Sequence, residues 1–139
     1  MSIPDFGGTW TDAESSISRV REQMAETLAR AERAQQLKGD IAALRATAAS
    51  PKGEVTVEVD ASGRLVGITF SPDASDLAPA DLSKAVLGAV ARAQREAGDR
   101  AIALTAEVFG DDSETVALIR GEVDERMPVV PGDDTVGYR

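Results

Sequence analysis

The sequence predicts an α+β fold with a long N-terminal helix, a small antiparallel β-sheet of two main strands with room for a short third, and a second long helix. Three observations predict it. From Ile17 an apolar residue recurs every three or four positions for about 30 residues. The period then drops to two across a pair of valine-rich runs, and beyond Pro79 it returns to three or four.

The first helix has a start signal at Thr11, three residues before Glu14, which is the spacing of a capping box. Ile17, Val20, Met24, Leu28, Ala31, Ala34, Leu37, Ile41 and Leu44 continue it as one stripe. At 1.5 Å per residue such a helix runs about 45 to 50 Å, longer than a compact body of this size is wide. Part of the stripe must therefore meet something outside its own domain, most simply a second copy of the chain. Gly39 costs about 1 kcal/mol relative to Ala in a helix interior, so a kink or break over 38–40 is the alternative.

Ser50, Pro51, Lys52 and Gly53 end the helical pattern with turn residues. In Glu54 to Asp60, EVTVEVD, Val55, Val57 and Val59 fall on one face and the polar residues on the other. In Arg64 to Phe70, RLVGITF, Val66, Ile68 and Phe70 share a face, with Leu65 and Thr69 opposite. The short connection between them makes an antiparallel hairpin. Two strands alone are marginal, and Thr47 to Ala49 offers a third. Ser71 to Ala80 reads as a linker, and Pro79 suits the first turn of the second helix. That helix carries the stripe Leu82, Val86, Val90, Ala93, Ala97, Ala101, Leu104 and Val108, whose small middle residues admit a close neighbour. Val116, Ile119 and Val123 give a short helix within 113–127, and Pro128 to Arg139 reads as a tail. The expected organisation is an N-terminal tail over 1–10, a domain over 11–110, and an acidic extension over 111–139 that holds the short helix.

Composition bounds the function. The chain has 139 residues, 42% of them hydrophobic and only 4% aromatic, so one core of ordinary size must be built from Ala, Val, Leu and Ile. It contains no Cys and no His, which excludes disulfides, thiol nucleophiles, imidazole or thiolate metal sites and the commonest acid–base catalyst. No Gly-rich phosphate loop ends in Lys-Ser or Lys-Thr, and no two carboxylates are placed in one apolar pocket, so an enzyme is not expected. Asp111 with Asp112, and Asp133 with Asp134, lack a third ligand at fixed spacing; no metal and no cofactor are expected. Met1 to Gly8 has no basic segment leading into an apolar run, and no stretch nears the roughly 20 apolar residues of a membrane span. A cytoplasmic protein with no membrane partner is expected.

The net charge of -9 is unevenly spread. Asp12 to Ala46 holds six acids and six bases, whereas Gly110 to Arg139 holds eight acids and three bases. A neutral body with an acidic end opposes phosphate binding less than a uniformly acidic chain. Helix one carries the densest bases, Arg19, Arg30, Arg33, Lys38 and Arg45, and helix two adds Arg92, Arg95 and Arg100. Such cations suit phosphate contacts. The alternative is a solvated face, since Glu22 lies three residues from Arg19 and Glu26 four from Arg30, with Glu32 between Arg30 and Arg33.

The succession of a long amphipathic helix, GEVTVEVDASGRLVGITFSP and PADLSKAVLGAVARAQREA resembles the YbaB/EbfC family of bacterial nucleoid-associated proteins. The most specific part is Gly53 to Pro72, and the likeness spans about Ile17 to Phe109. The alanine-rich helices and longer acidic end look like an actinobacterial variant. The resemblance implies an α-β-β-β-α protomer, a homodimer whose sheets combine, and projecting helices that bind double-stranded DNA without catalysis. The cation rows of the two helices then make Arg19, Arg30, Arg33, Lys38, Arg45, Arg92 and Arg95 the expected DNA contacts. The apolar stripe of helix one and the apolar faces of the two main strands make Ile17, Val20, Met24, Leu28, Val55, Val57, Val59, Val66 and Ile68 the expected dimer interface. Some actinobacterial relatives lie in secretion loci, which keeps a protein-interaction or chaperone-like role as the alternative.

Overall fold

The computed structural model describes residues 6–128, with side-chain surroundings from residue 12 onward. Of the expected C-terminal tail, all but Pro128 lies outside the described residues. The chain divides into two compact units, 1–36 and 37–139.

Helix α1, Phe6–Ala43, supplies the first unit and enters the second. It begins ahead of Thr11, which corrects the expected start: a capping box needs an extended N-cap residue, and Thr11 is already helical. The helix passes through Gly39 without interruption. One glycine costs about 1 kcal/mol there, too little to stop a helix whose neighbours all favour it.

In the second unit β1 (Arg45–Ala49), β2 (Val55–Asp60) and β3 (Leu65–Phe70) form an antiparallel sheet in the order β1-β2-β3. The third strand offered by Thr47 to Ala49 is therefore present and two residues longer. Helix α2, Pro79–Phe109, has Pro79 in its first turn and packs across β1 and β2. Val55, Val57 and Val59 stand from β2 against Ala85, Ala89, Ala93, Ala97 and Ala101, all buried. The buried line is thus an alanine row with period four. Leu82, Val86, Val90 and Leu104, expected within the stripe, lie partly buried along its margin. The branched valines fill the space between the layers, and a helix can approach them only through its smallest side chains. Fully burying each valine stabilises by roughly 1.5–3 kcal/mol.

The sheet's valine face continues onto β3 by pairing, Val55 with Phe70 and Val57 with Ile68. A register shift between Glu58 and Val59 leaves Val66 as an extra residue and pairs Val59 with Leu65. Leu65 is thereby opposite Val59, not on the far face that simple alternation assigns to it. α2 leaves this part of the face uncovered: Leu65, Val66, Ile68 and Phe70 are exposed.

Helix α3, Glu114–Arg126, is capped by Ser113, whose hydroxyl accepts from the Val116 N–H at 3.1 Å. Val116, Val123 and Met127 are buried with Ile102 of α2 in a second cluster. The acidic extension is packed on the body as far as Met127.

Candidate nucleic-acid interface

The expected cations separate into two groups by what their side chains do. In the first unit a turn of 100° per residue brings Arg19, Arg30 and Arg33 onto one arc of α1, together with Asp12, Glu22 and Glu26. Ile17, Val20, Met24 and Leu28 lie on the opposite arc and are 51–62% exposed. Arg19, Arg30 and Arg33 are exposed, and the described residues provide no ion pair for them. Arg30 and Arg33 are one turn apart, and Arg19 to Arg33 spans roughly 21 Å of helix. Arg21, which the sequence reading passed over, is another exposed cation, but it borders the apolar arc; only helical phase distinguishes it.

In the second unit Lys38 is exposed. The other three expected contacts are engaged. Arg45 donates to the carbonyls of Ala42 at 3.2 Å and Leu44 at 2.7 Å and lies 3.9 Å from the Glu58 carboxylate. Arg92 donates to the Ala49 carbonyl at 2.6 Å. Arg95 donates to Asp124 at 2.9 Å and to the Met127 carbonyl at 3.1 Å, and it pairs with Asp99 at 3.1 Å. The hydrogen bond to Asp124 raises the Arg95 pKa further. Arg92 thus ties α2 to β1 and Arg95 ties α2 to α3, while Arg45 is held at the α1–β1 junction and beside β2, so a phosphate at any of the three would compete with bonds the protein already makes.

The interface expectation divides in the same way. Val66 and Ile68 are exposed on β3, and in the first unit Ile17, Val20, Met24 and Leu28 are exposed on α1. Val55, Val57 and Val59 are at most 1% exposed within the protomer. Within the protomer α2 covers them. Leu65 and Phe70 take their place on the open face, and Phe70 was legible from the alternation.

The model of the YbaB/EbfC DNA-binding family matches residues 15–112, from the third turn of α1 through all of the sheet and α2. The chain belongs to the YbaB/EbfC DNA-binding family. This membership accounts for the helix–sheet–helix order and places α3, which begins at Glu114, beyond the matched segment. No curated protein matches the chain. Among the described residues of this YbaB/EbfC protein, no helix is long and apolar enough to cross a membrane, and no three or more metal-ligating side chains come together.

Proposed function

We propose that this YbaB/EbfC-family chain is a nucleoid-associated protein that binds double-stranded DNA as a homodimer, through phosphate contacts and with little reading of base sequence. The observation that carries the proposal is the contrast between its cations. Arg19, Arg30 and Arg33 on α1 are exposed and have no ion pair among the described residues, whereas Arg45, Arg92 and Arg95 are occupied by the protein itself. Unengaged guanidinium groups along a helix can each replace a counterion on the phosphate backbone. With Asp12, Glu22 and Glu26 on the same arc the potential of one helix is weak, so binding needs the summed contacts of two chains. The dimer is formed at β3, where Leu65, Val66, Ile68 and Phe70 leave an apolar face beside α2. Titration of labelled duplex with the chain at several salt concentrations tests the reading. Six phosphate contacts per dimer imply a slope of log affinity against log salt near about -5.

A second reading is favoured by one observation. Ile17, Val20, Met24 and Leu28 form an apolar arc that is more than half exposed, which suits a protein partner that lays a helix along α1. In that case a folded dimer shows no saturable DNA binding even at low salt.

A further inference from the structure

The two edges of the sheet differ in a way that neither the family nor the DNA reading explains. Ser50 N–H donates to the Val55 carbonyl, so by antiparallel alternation the backbone groups of Arg45, Thr47 and Ala49 turn away from β2 toward the outer edge of β1. Two of those three carbonyls are taken by side chains from α2. Arg92 donates to Ala49 O at 2.6 Å and Arg100 donates to Arg45 O at 2.5 Å. The match is geometric. Residues 92 and 100 are roughly 12 Å apart along a helix, and residues 45 and 49 are roughly 13 Å apart along a strand. One guanidinium therefore sits at each end of β1.

The opposite edge has no such cover. Ser71 N–H donates to the Glu54 carbonyl, so the backbone groups of Ile68 and Phe70 face outward from β3. No side chain of the described residues bonds to them, and their own side chains are apolar and exposed. An unpaired edge of this kind is a template for another strand.

We infer that Arg92 and Arg100 determine which edge of the sheet is used for self-association: they close β1 and so confine strand pairing to β3 of a second copy. The inference rests on the proposed dimer for its β3 half, and on the two arginine–carbonyl bonds for its β1 half. A strand that approached β1 would have to displace both guanidinium groups before it reached the outward carbonyls, leaving only Thr47 free. Without them, β1 becomes a second open edge and dimers can add to one another.

The test compares the molar mass of the full chain with that of R92Q/R100Q by light scattering over a range of concentrations, with circular dichroism to show that both are folded. The wild type is expected to stay at one mass, and the variant to at least double it as concentration rises. Adding Thr47→Pro should restore the wild-type mass, because that N–H points outward and its removal blocks an edge without breaking the β1–β2 ladder. A folded R92Q/R100Q that keeps the wild-type mass throughout overturns the inference. If the double variant does not fold, R100Q alone is compared in the same way; more association than wild type supports the inference, and equal mass overturns it. A monomeric wild type would remove the β3 dimer while leaving the β1 comparison intact, so the two failures are distinguishable.

Discussion

Gly98 on α2 faces Val123 on α3 so closely that a Cβ at position 98 would lie 2.6 Å from Val123 Cγ1. The side chain of Met127 closes the same spot from the end of α3, with its sulfur 3.1 Å from that position. Gly98→Ala is thus expected to push α3 away and to destabilise the protein by about 1–3 kcal/mol, the usual cost of overpacking. Urea unfolding checks this. In the double variant with Val123→Ala most of the loss should return, since the second change removes the methyl groups that the first would strike. A loss that Val123→Ala does not relieve would place the strain elsewhere.

The alanine row on α2 makes a second prediction. Ala93 is fully buried against β2, and Ala93→Leu has no space to enter without lifting the helix from Val57 and Val59. The expected cost is about 1–3 kcal/mol, and Val57→Ala, which leaves a void instead, should cost about 2 kcal/mol. Leu87→Ala, at an exposed position of the same helix, should change the stability of the isolated protomer by less than about 0.5 kcal/mol. Similar losses at Ala93 and Leu87 would contradict the assignment of the buried row.

Much of this architecture was legible from periodicity. The switch from helical to alternating pattern at Gly53 marks the hairpin, and Pro79 marks the start of α2. What periodicity could not reveal is which of two adjacent lines on α2 is buried. Leu82, Val86 and Val90 are the more apolar choice, but the bulk of Val55, Val57 and Val59 selects the alanines, and that selection depends on a neighbour distant in sequence. Thr11 misled because a capping box is a local signal, and helical backbone on its N-terminal side overrides it. Among the candidate site residues, Arg45, Arg92 and Arg95 resemble Arg30 and Arg33 in composition alone. The partners of Arg92 and Arg95, Ala49 O and Asp124, come into reach only when the sheet and α3 dock on α2, whereas Arg45 bonds to the carbonyl of its neighbour Leu44 where the helix gives way to the strand.

The hairpin turn gives a pH prediction. Asp60 accepts hydrogen bonds from the Ser62 hydroxyl at 2.7 Å, the Arg64 N–H at 2.9 Å and the Ser62 N–H at 3.0 Å, and pairs with the Arg64 guanidinium at 3.3 Å. The Ser62 hydroxyl contributes most to holding its pKa below the ordinary carboxyl value. A depressed folded-state pKa means that the carboxylate stabilises the fold above its unfolded pKa, and that this contribution fades as pH falls through the folded value. Asp60→Asn should therefore be less stable than wild type at neutral pH, with the two melting temperatures converging in acid. A gap that stays constant down to the acid limit would assign the effect to shape rather than charge.

The proposed DNA site predicts a change in slope as well as in affinity. Replacing Arg30 and Arg33 by Ala removes four phosphate contacts per dimer, so the salt slope should flatten by about 3 to 4. Replacing Arg95 should instead lower stability, because its partners Asp124 and the Met127 carbonyl hold α3. DNA binding by the folded fraction should be unchanged. Parallel thermal melts and titrations separate the two outcomes.

The most direct test of DNA binding through α1 is fluorescence anisotropy of a labelled duplex, titrated at several salt concentrations with wild type and with R19E/R30E/R33E, both verified as folded and of equal mass. The account predicts saturable wild-type binding that weakens steeply with salt and is lost in the variant at every salt concentration. Equal binding by the two proteins, with equal salt slopes, would contradict it.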